Sequence, residues 1–493
     1  MNNWRLLEVL AAHWLGLMLL GAPAQAELLQ PGDARLRHDI QLLADAGIID
    51  APVTGWPLFL TGVRMDRADR DGLDPAMLAA LNRIFPAREP HESVRLQVFV
   101  GAGDQPQGLR DFNDVLREEG KLGARFAWEG GRFALDLQAS WVSDPADGRE
   151  SRLDGSYAGV ALGNWFVAAS ATERWWSPGW ESSLALSNNA RPIPAISVQR
   201  REARPTSIRW LRWLGPWTTQ VMIGQLESER DVPDARFFGW RFGFRPTPKL
   251  EIGLTRTAQW CGEGRPCDFG TFADLLLGKD NRGQNVSSEE EPGNQLAGWD
   301  LRYSFNALSR PWAFYTQWIG EDEQNGLPSA HLATLGLETW RSLESLGGSY
   351  RAHFEYSETT CSAITDSDPN FGCAYNHGIY RDGYRYRGRA IGHTIDGDGV
   401  MASLGGLWVT EAGHTWQLQL RRIEINRSDH PRNSVSPVRQ ERYGLEFLHV
   451  HRFAAGELTL GLSAESRELV VGGEESDETR AFVEWRWLLS GGY

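Results

Sequence analysis

From Val94 to the C-terminus, apolar and polar side chains exchange places at every second residue, segment after segment. Phe133, Leu135, Leu137, Ala139 and Trp141 stand in one register; Asp136, Gln138 and Ser140 stand in the other. The same period recurs at Trp299/Leu301/Tyr303/Phe305, Leu458/Leu460/Leu462 and Ala481/Val483/Trp485/Trp487. Period two marks a strand with one apolar face and one wetter face. About eighteen such segments of roughly 7–12 residues follow one another, the length a tilted strand needs to cross a bilayer. The pattern predicts an all-β fold: a transmembrane antiparallel barrel of about eighteen strands.

Connection lengths sharpen the prediction. Tight turns are expected at Glu129–Gly131, Leu162–Asn164, Trp213–Gly215, Pro246–Pro248, Leu308–Arg310, Arg341–Gly347, Glu411–Gly413 and Phe453–Gly456. Between them lie long connections at 101–121, 143–154, 173–205, 227–235, 258–296, 320–329, 359–399, 425–439 and 467–477. The two kinds alternate strictly if 173–205 is a single excursion without a wall strand. Outer-membrane barrels sort their loops in this way, short turns facing the periplasm and long loops facing outward.

Mean hydropathy is −0.40, and past the N-terminus no run of about twenty apolar residues offers a membrane helix. Residues 1–26 read as a secretory signal, with Arg5, the apolar run Val9–Leu20 and a cleavage site after Ala26. Residues 27–90 lack strand alternation. Leu36, Ile40 and Leu43 share a helical face after a cap at Asp33 and before Gly47, and a second helix is expected over Asp74–Phe85 with Pro75 at its start. This region is expected to be a periplasmic helical element, with the barrel over 91–493.

Four cysteines fall in the two longest loops, and Cys261–Cys267 and Cys361–Cys373 are the expected pairs in an exported protein. No metal site is expected, since neither pair has metal-ligand spacing. A net charge of −14 argues against nucleic-acid binding. Charge is uneven, however: residues 377–393 carry Arg381, Arg385, Arg387 and Arg389 against Asp382 alone. Glu289–Glu291 reads as a solvated loop tip, and Asp396-Gly-Asp398-Gly as a turn before a strand. No G-x-S-x-G, H-E-x-x-H or P-loop string is present. An enzyme is therefore not the expected reading, and no cofactor is implied.

Three stretches go beyond a generic barrel: Pro31–Leu58, Glu173–Pro194 (ERWWSPGWESSLALSNNARPIP) and Arg387–His393 (RGRAIGH). Together they resemble the capsule-assembly outer-membrane family of the Wzi type, from about residue 28 to the C-terminus. The resemblance implies an eighteen-stranded barrel with a periplasmic helical element. It also implies a lectin that holds capsular or extracellular polysaccharide at the cell surface. The expected partners are that polysaccharide, outer-membrane lipid and the polysaccharide export machinery, with the protein a monomer. This chain departs from the family's pattern at Ser177, where glycine is usual.

Sugar recognition uses indole faces for C–H surfaces, amides for hydroxyls and arginine for carboxylates. Arg174, Trp175, Trp176, Trp180, Asn188, Asn189 and Arg191 concentrate those types in one loop. Two readings stand: direct polysaccharide contact, or an in-folded plug filling a wide lumen. The Tyr380–Arg389 tract has the right sign for an acidic polymer at an exposed rim, and replacing Arg385 and Arg387 together is expected to weaken binding without unfolding the protein. Most of the 22 tryptophans, among them Trp165, Trp217, Trp240, Trp312, Trp318 and Trp408, are expected to anchor the wall at the membrane interface. The rival function is a sugar-selective or general channel.

Overall fold

The computed structural model describes residues 28–59, 73–85, 92–276, 293–324, 327–343, 345, 347–362, 371–470 and 472–490. The proposed signal segment with its cleavage site at Ala26 and the acidic tip at Glu289–Glu291 lie outside the described residues. The wall begins with β1 (Glu92–Gly103), β2 (Gly120–Gly130), β3 (Phe133–Ser143), β4 (Tyr157–Leu162), β5 (Trp165–Ser170) and β6 (Ala195–Arg200). It continues with β7 (Trp217–Gln225), β8 (Arg236–Thr247), β9 (Leu250–Trp260), β10 (Gly293–Ala307), β11 (Arg310–Gln324) and β12 (Leu327–Leu343). The last third is β13 (Gly348–Glu358), β14 (Gly399–Thr410), β15 (Thr415–Ile425), β16 (Gln440–Phe453), β17 (Gly456–Leu469) and β18 (Glu475–Ser490). Each strand pairs antiparallel with the next, and β1 closes on β18 through Val98↔Trp487 and Val100↔Trp485. Among the described residues the wall is a closed barrel of eighteen strands, which leaves no free sheet edge.

One expectation needs correction. The excursion from 173 to 205 does contain a wall strand: β6 pairs with β5 on one side and β7 on the other. Six residues are too short to stand out by alternation. The segment expected as a strand, 206–212, instead enters a 3-10 helix at Arg209–Leu214. Ile208, Leu211 and Leu214 recur there at spacing three, as do Trp210 and Trp213, and that is the period of a 3-10 turn rather than a strand. Ile208, Trp210 and Trp213 are exposed at the short-turn rim, where indoles suit the membrane interface.

Alternation resolves into two environments. On β15 Leu418 and Leu420 are exposed on the outer surface, while Gln417, Gln419 and Arg421 between and beside them are buried in the lumen. Leu404, Leu445, Phe447, Leu460, Leu462 and Val483 continue the outer apolar band. A surface that is apolar outside and polar inside is the inverse of a soluble barrel, and it suits a wall bathed in lipid.

Helix α1 (Ala34–Asp45) fills part of the lumen. It starts where Asp33 Oδ1 accepts the Leu36 amide at 3.0 Å, and it ends before Gly47, whose φ of 77° suits glycine. Both flanks of the helix are covered: Ile40 and Leu43, but also Arg37, His38, Asp39 and Gln41, are buried. The helix lies inside the short-turn end of the barrel rather than beneath it. Asp45 forms a bidentate pair with Arg302 of β10 at 2.6 and 2.8 Å. His38 Nε2 is 2.8 Å from Ser349 of β13, and Arg245 of β8 donates to the Ala44 carbonyl at 2.7 Å. Helix α2 (Pro75–Ile84) packs against α1, and its Arg83 grips buried Asp39 at 2.7 and 2.8 Å.

Candidate functional site

The loop from Glu173 to Pro194 leaves β5, turns into the lumen and returns to β6. Its first residues meet the N-terminal segment: Trp175 and Trp176 form a two-residue ladder with Trp56 and Gly55. A Cβ at Gly55 would sit 2.4 Å from Arg241 Nε, so only glycine allows the wall arginine to pass. Farther on, Trp180 donates its indole N–H to Glu338 at 2.8 Å and its backbone N–H to Glu355 at 2.7 Å. Glu181 pairs with Arg421 at 2.6 Å, and the Leu184 amide donates to Gln317 at 2.8 Å. Gln317 of β11 and Glu355 of β13 thus satisfy backbone N–H groups that would otherwise be orphaned in the lumen, while Glu338 of β12 and Arg421 of β15 hold the loop's side chains. Ser177, the departure from the family's glycine, is fully buried and its Oγ accepts the Gly179 amide at 2.9 Å.

The third stretch docks on the far side of the same loop. The Ile391 carbonyl accepts the Ser187 amide at 3.0 Å, and Asn189 Nδ2 donates to the Ala390 carbonyl at 2.8 Å. A Cβ at Gly392 would fall 2.4 Å from the Leu184 carbonyl oxygen, again leaving room only for glycine. The three sequence stretches that carry the family resemblance are therefore one packed unit inside the barrel.

This placement corrects the direct-contact expectation for part of the loop. Trp175 and Trp176 are 0% exposed and Trp180 5%, with Asn188 buried and donating to the Phe112 carbonyl at 3.0 Å. These side chains build the plug and present no face to a polymer, because the wall surrounds them. Arg174 is also buried, held by the Thr172 carbonyl and Ser170 Oγ at 3.0 Å each, and burial lowers its guanidinium to about 10. Arg191 is committed to Asp154 and Asp147, at 2.8 and 2.6 Å.

The arginine tract divides. Arg385 is buried and structural: it grips Asp396 at 2.8 and 2.5 Å and donates to the Tyr375 carbonyl at 3.1 Å. The expectation that it can be removed without disturbing the fold is therefore corrected. Asp396 and Asp398 serve the same turn, Asp398 accepting from Ser428. Arg381 is exposed, and Arg387 is half-buried over the Tyr386 ring at 5.3 Å. Arg389 reaches Asn189 Oδ1 at 2.7 Å and the Gly108 carbonyl at 2.7 Å. Both expected disulfides, Cys261–Cys267 and Cys361–Cys373, are formed.

Above the plug, at the long-loop end, lies a cavity of about 520 Å³. It is bounded by the 105–110 segment of the first long loop, by Arg191 and Tyr386–Arg389, and by the ends of β16, β17 and β18. Sequence reasoning did not assign Gln107, Arg110 or Arg480 to the site, because they come from a loop and a wall strand far from the arginine tract and meet it only in the fold.

Residues 93–481 match the family of capsule assembly protein Wzi. An uncharacterised 55.8 kDa protein in the cps region of Klebsiella pneumoniae is 32% identical over 432 residues, covering 86% of this chain and 82% of that protein. The solved structure of Escherichia coli Wzi, described as an outer-membrane protein involved in group 1 capsule assembly and a carbohydrate-binding β-barrel, is 25% identical. It superposes with a TM-score of 0.78 across 94% of this chain and all of that one. This chain belongs to the Wzi capsule assembly family.

Proposed function

We propose that this protein is a non-catalytic outer-membrane lectin that binds capsular or extracellular polysaccharide at its long-loop mouth and fixes it to the cell surface. The observation that carries the reading is the cavity above a filled lumen: about 520 Å³ lined by arginine, amide and aromatic groups suited to sugar hydroxyls and carboxylates. Arg387 and Arg389 are the tract residues that line this cavity, with Asn189 bonded to Arg389. The wall sits in outer-membrane lipid as a monomer, and export machinery delivers the polymer from outside the barrel. A packed lumen argues against the channel reading. The test is polymer retention in cells lacking the protein: the lectin reading expects polymer made at normal levels but shed into the medium, and normal retention overturns it.

A further inference from the structure

Among the described residues nine arginines line the mouth cavity, and they fall into two classes. Arg117, Arg152, Arg191, Arg421 and Arg467 each face a carboxylate within 3.5 Å. Among the described residues Arg110, Arg387, Arg389 and Arg480 have no carboxylate partner. They are held instead by neutral acceptors. Arg110 Nη1 donates to the Asn189 carbonyl at 2.7 Å, and Arg389 donates to both oxygens of the same residue, at 3.1 and 2.7 Å. Arg480 donates to the Gln105 carbonyl at 2.8 Å; the Arg387 guanidinium donates to the Tyr386 hydroxyl at 3.3 Å, while its backbone N–H donates to Glu227 at 3.1 Å. One lining carboxylate, Asp144, is likewise without an arginine and is exposed.

Two like charges clamped to one asparagine repel each other, and burial removes the water that would screen them. Arg110 is only 8% exposed, and its Nε has no hydrogen-bond partner; Oε1 of Gln107, which lines the same cavity, has none either. Burial, with the neighbouring charge of Arg117, holds Arg389 down at about 10, and burial with Arg389 itself depresses Arg110. A fold that spends its other mouth carboxylates on other arginines and leaves this pair unneutralised is built to receive an anion from outside.

We propose that Arg110 and Arg389, positioned on Asn189 with Arg387 at the rim, form a subsite for a sugar-borne carboxylate, on a uronic acid or a ketal-linked pyruvate. The proposal rests on the lectin reading and specifies its ligand chemistry. Asn189 is a positioning residue: its carbonyl and side-chain oxygens set the spacing of the two guanidinium groups. The carboxylate replaces the missing counter-charge, so binding weakens as salt rises.

The test is titration of the detergent-solubilised full chain with surface polysaccharide extracted from the producing strain. The polymer is used native, after mild acid that removes only ketal pyruvate, and after carbodiimide–borohydride reduction of all carboxyl groups. The subsite requires the native polymer to bind and the fully reduced polymer to bind about tenfold more weakly, the effect of losing one charge-assisted contact. Loss already at the mild-acid stage assigns the carboxylate to pyruvate, and loss only on full reduction assigns it to uronic acid. Equal binding of native and fully reduced polymer overturns the subsite and leaves the lectin standing. No binding by either overturns both. Arg387→Gln, which breaks no bond to the plug, is expected to weaken native binding severalfold and leave reduced-polymer binding unchanged. Equal weakening of both would count against the subsite.

Discussion

The guanidinium of Arg37 lies 4.1 Å from the ring centre of Trp180, joining a helix from the start of the chain to a loop more than a hundred residues later. The same group donates to the Pro178 carbonyl at 2.6 Å and packs over Phe112 at 4.6 Å. Burial lowers it to about 9, so its neighbours hold a cation with little water around it. Trp180→Ala removes the ring, the bond to Glu338 and this stacking together, at a cost of about 3–5 kcal/mol to the plug. The wall should still form, with the usual gel shift on heating. In planar bilayers the variant should show current bursts that the native protein lacks, and a silent variant would mean that the remaining contacts alone seal the lumen.

A second prediction concerns acid. His38 Nδ1 accepts from Arg351 Nε at 3.1 Å, so Nε2 carries the proton facing Ser349. Burial, reinforced by the Arg351 charge, holds the imidazole well below its ordinary value of 6.5. Above pH 6.5 the ring is neutral in folded and unfolded chains alike, and no stability is at stake. Below it the unfolded chain takes up a proton that the folded one resists, so stability falls with pH at up to about 1.4 kcal/mol per unit. The heat-unfolding midpoint should drop between pH 7 and pH 5, and His38→Gln should flatten that part of the profile. An unchanged slope in the variant would assign the acid sensitivity elsewhere.

Arg385 and Arg387 stand two residues apart and should fail differently. Arg385→Ala strips Asp396 of its partner in a buried turn and should expose the 359–399 loop to protease on intact cells. Arg387→Ala should leave the digestion pattern native while weakening polymer binding. Identical protease patterns in the two variants would contradict the structural role given to Arg385.

The bond between Cys361 and Cys373 closes a separation of 12 residues at the base of that loop. Chain-entropy arguments put its contribution near about 3 kcal/mol of local order. Replacing both cysteines by serine should speed proteolysis of the loop without lowering the temperature at which the wall unfolds. A matching fall in the wall's midpoint would show that loop and wall unfold as one.

How much of this was open to a reader of the sequence depends on range. Alternation at Phe133–Trp141 or Ala481–Trp487 is local, and it specified both strand and membrane. The β6 strand was missed because six residues beside a Trp-rich loop carry too little pattern, and the helix at Arg209–Leu214 because a single turn of spacing three is too short to stand out between two strands. Trp180 could not be assigned from composition, since an indole suits a sugar face and a packed lumen equally. What decides is Glu338 and Glu355, some 160–175 residues away. Arg110 was invisible for another reason: its significance is a carboxylate that is not there, and only the surroundings reveal that.

The pairing of Asp45 with Arg302 and of His38 with Ser349 also bears on how the protein is made. Helix α1 leaves the ribosome before any wall strand, yet its partners come from β8, β10 and β13, which must already stand side by side to receive it. Helix α1 therefore finds its full set of partners only where the middle of the barrel has been put together in the correct order.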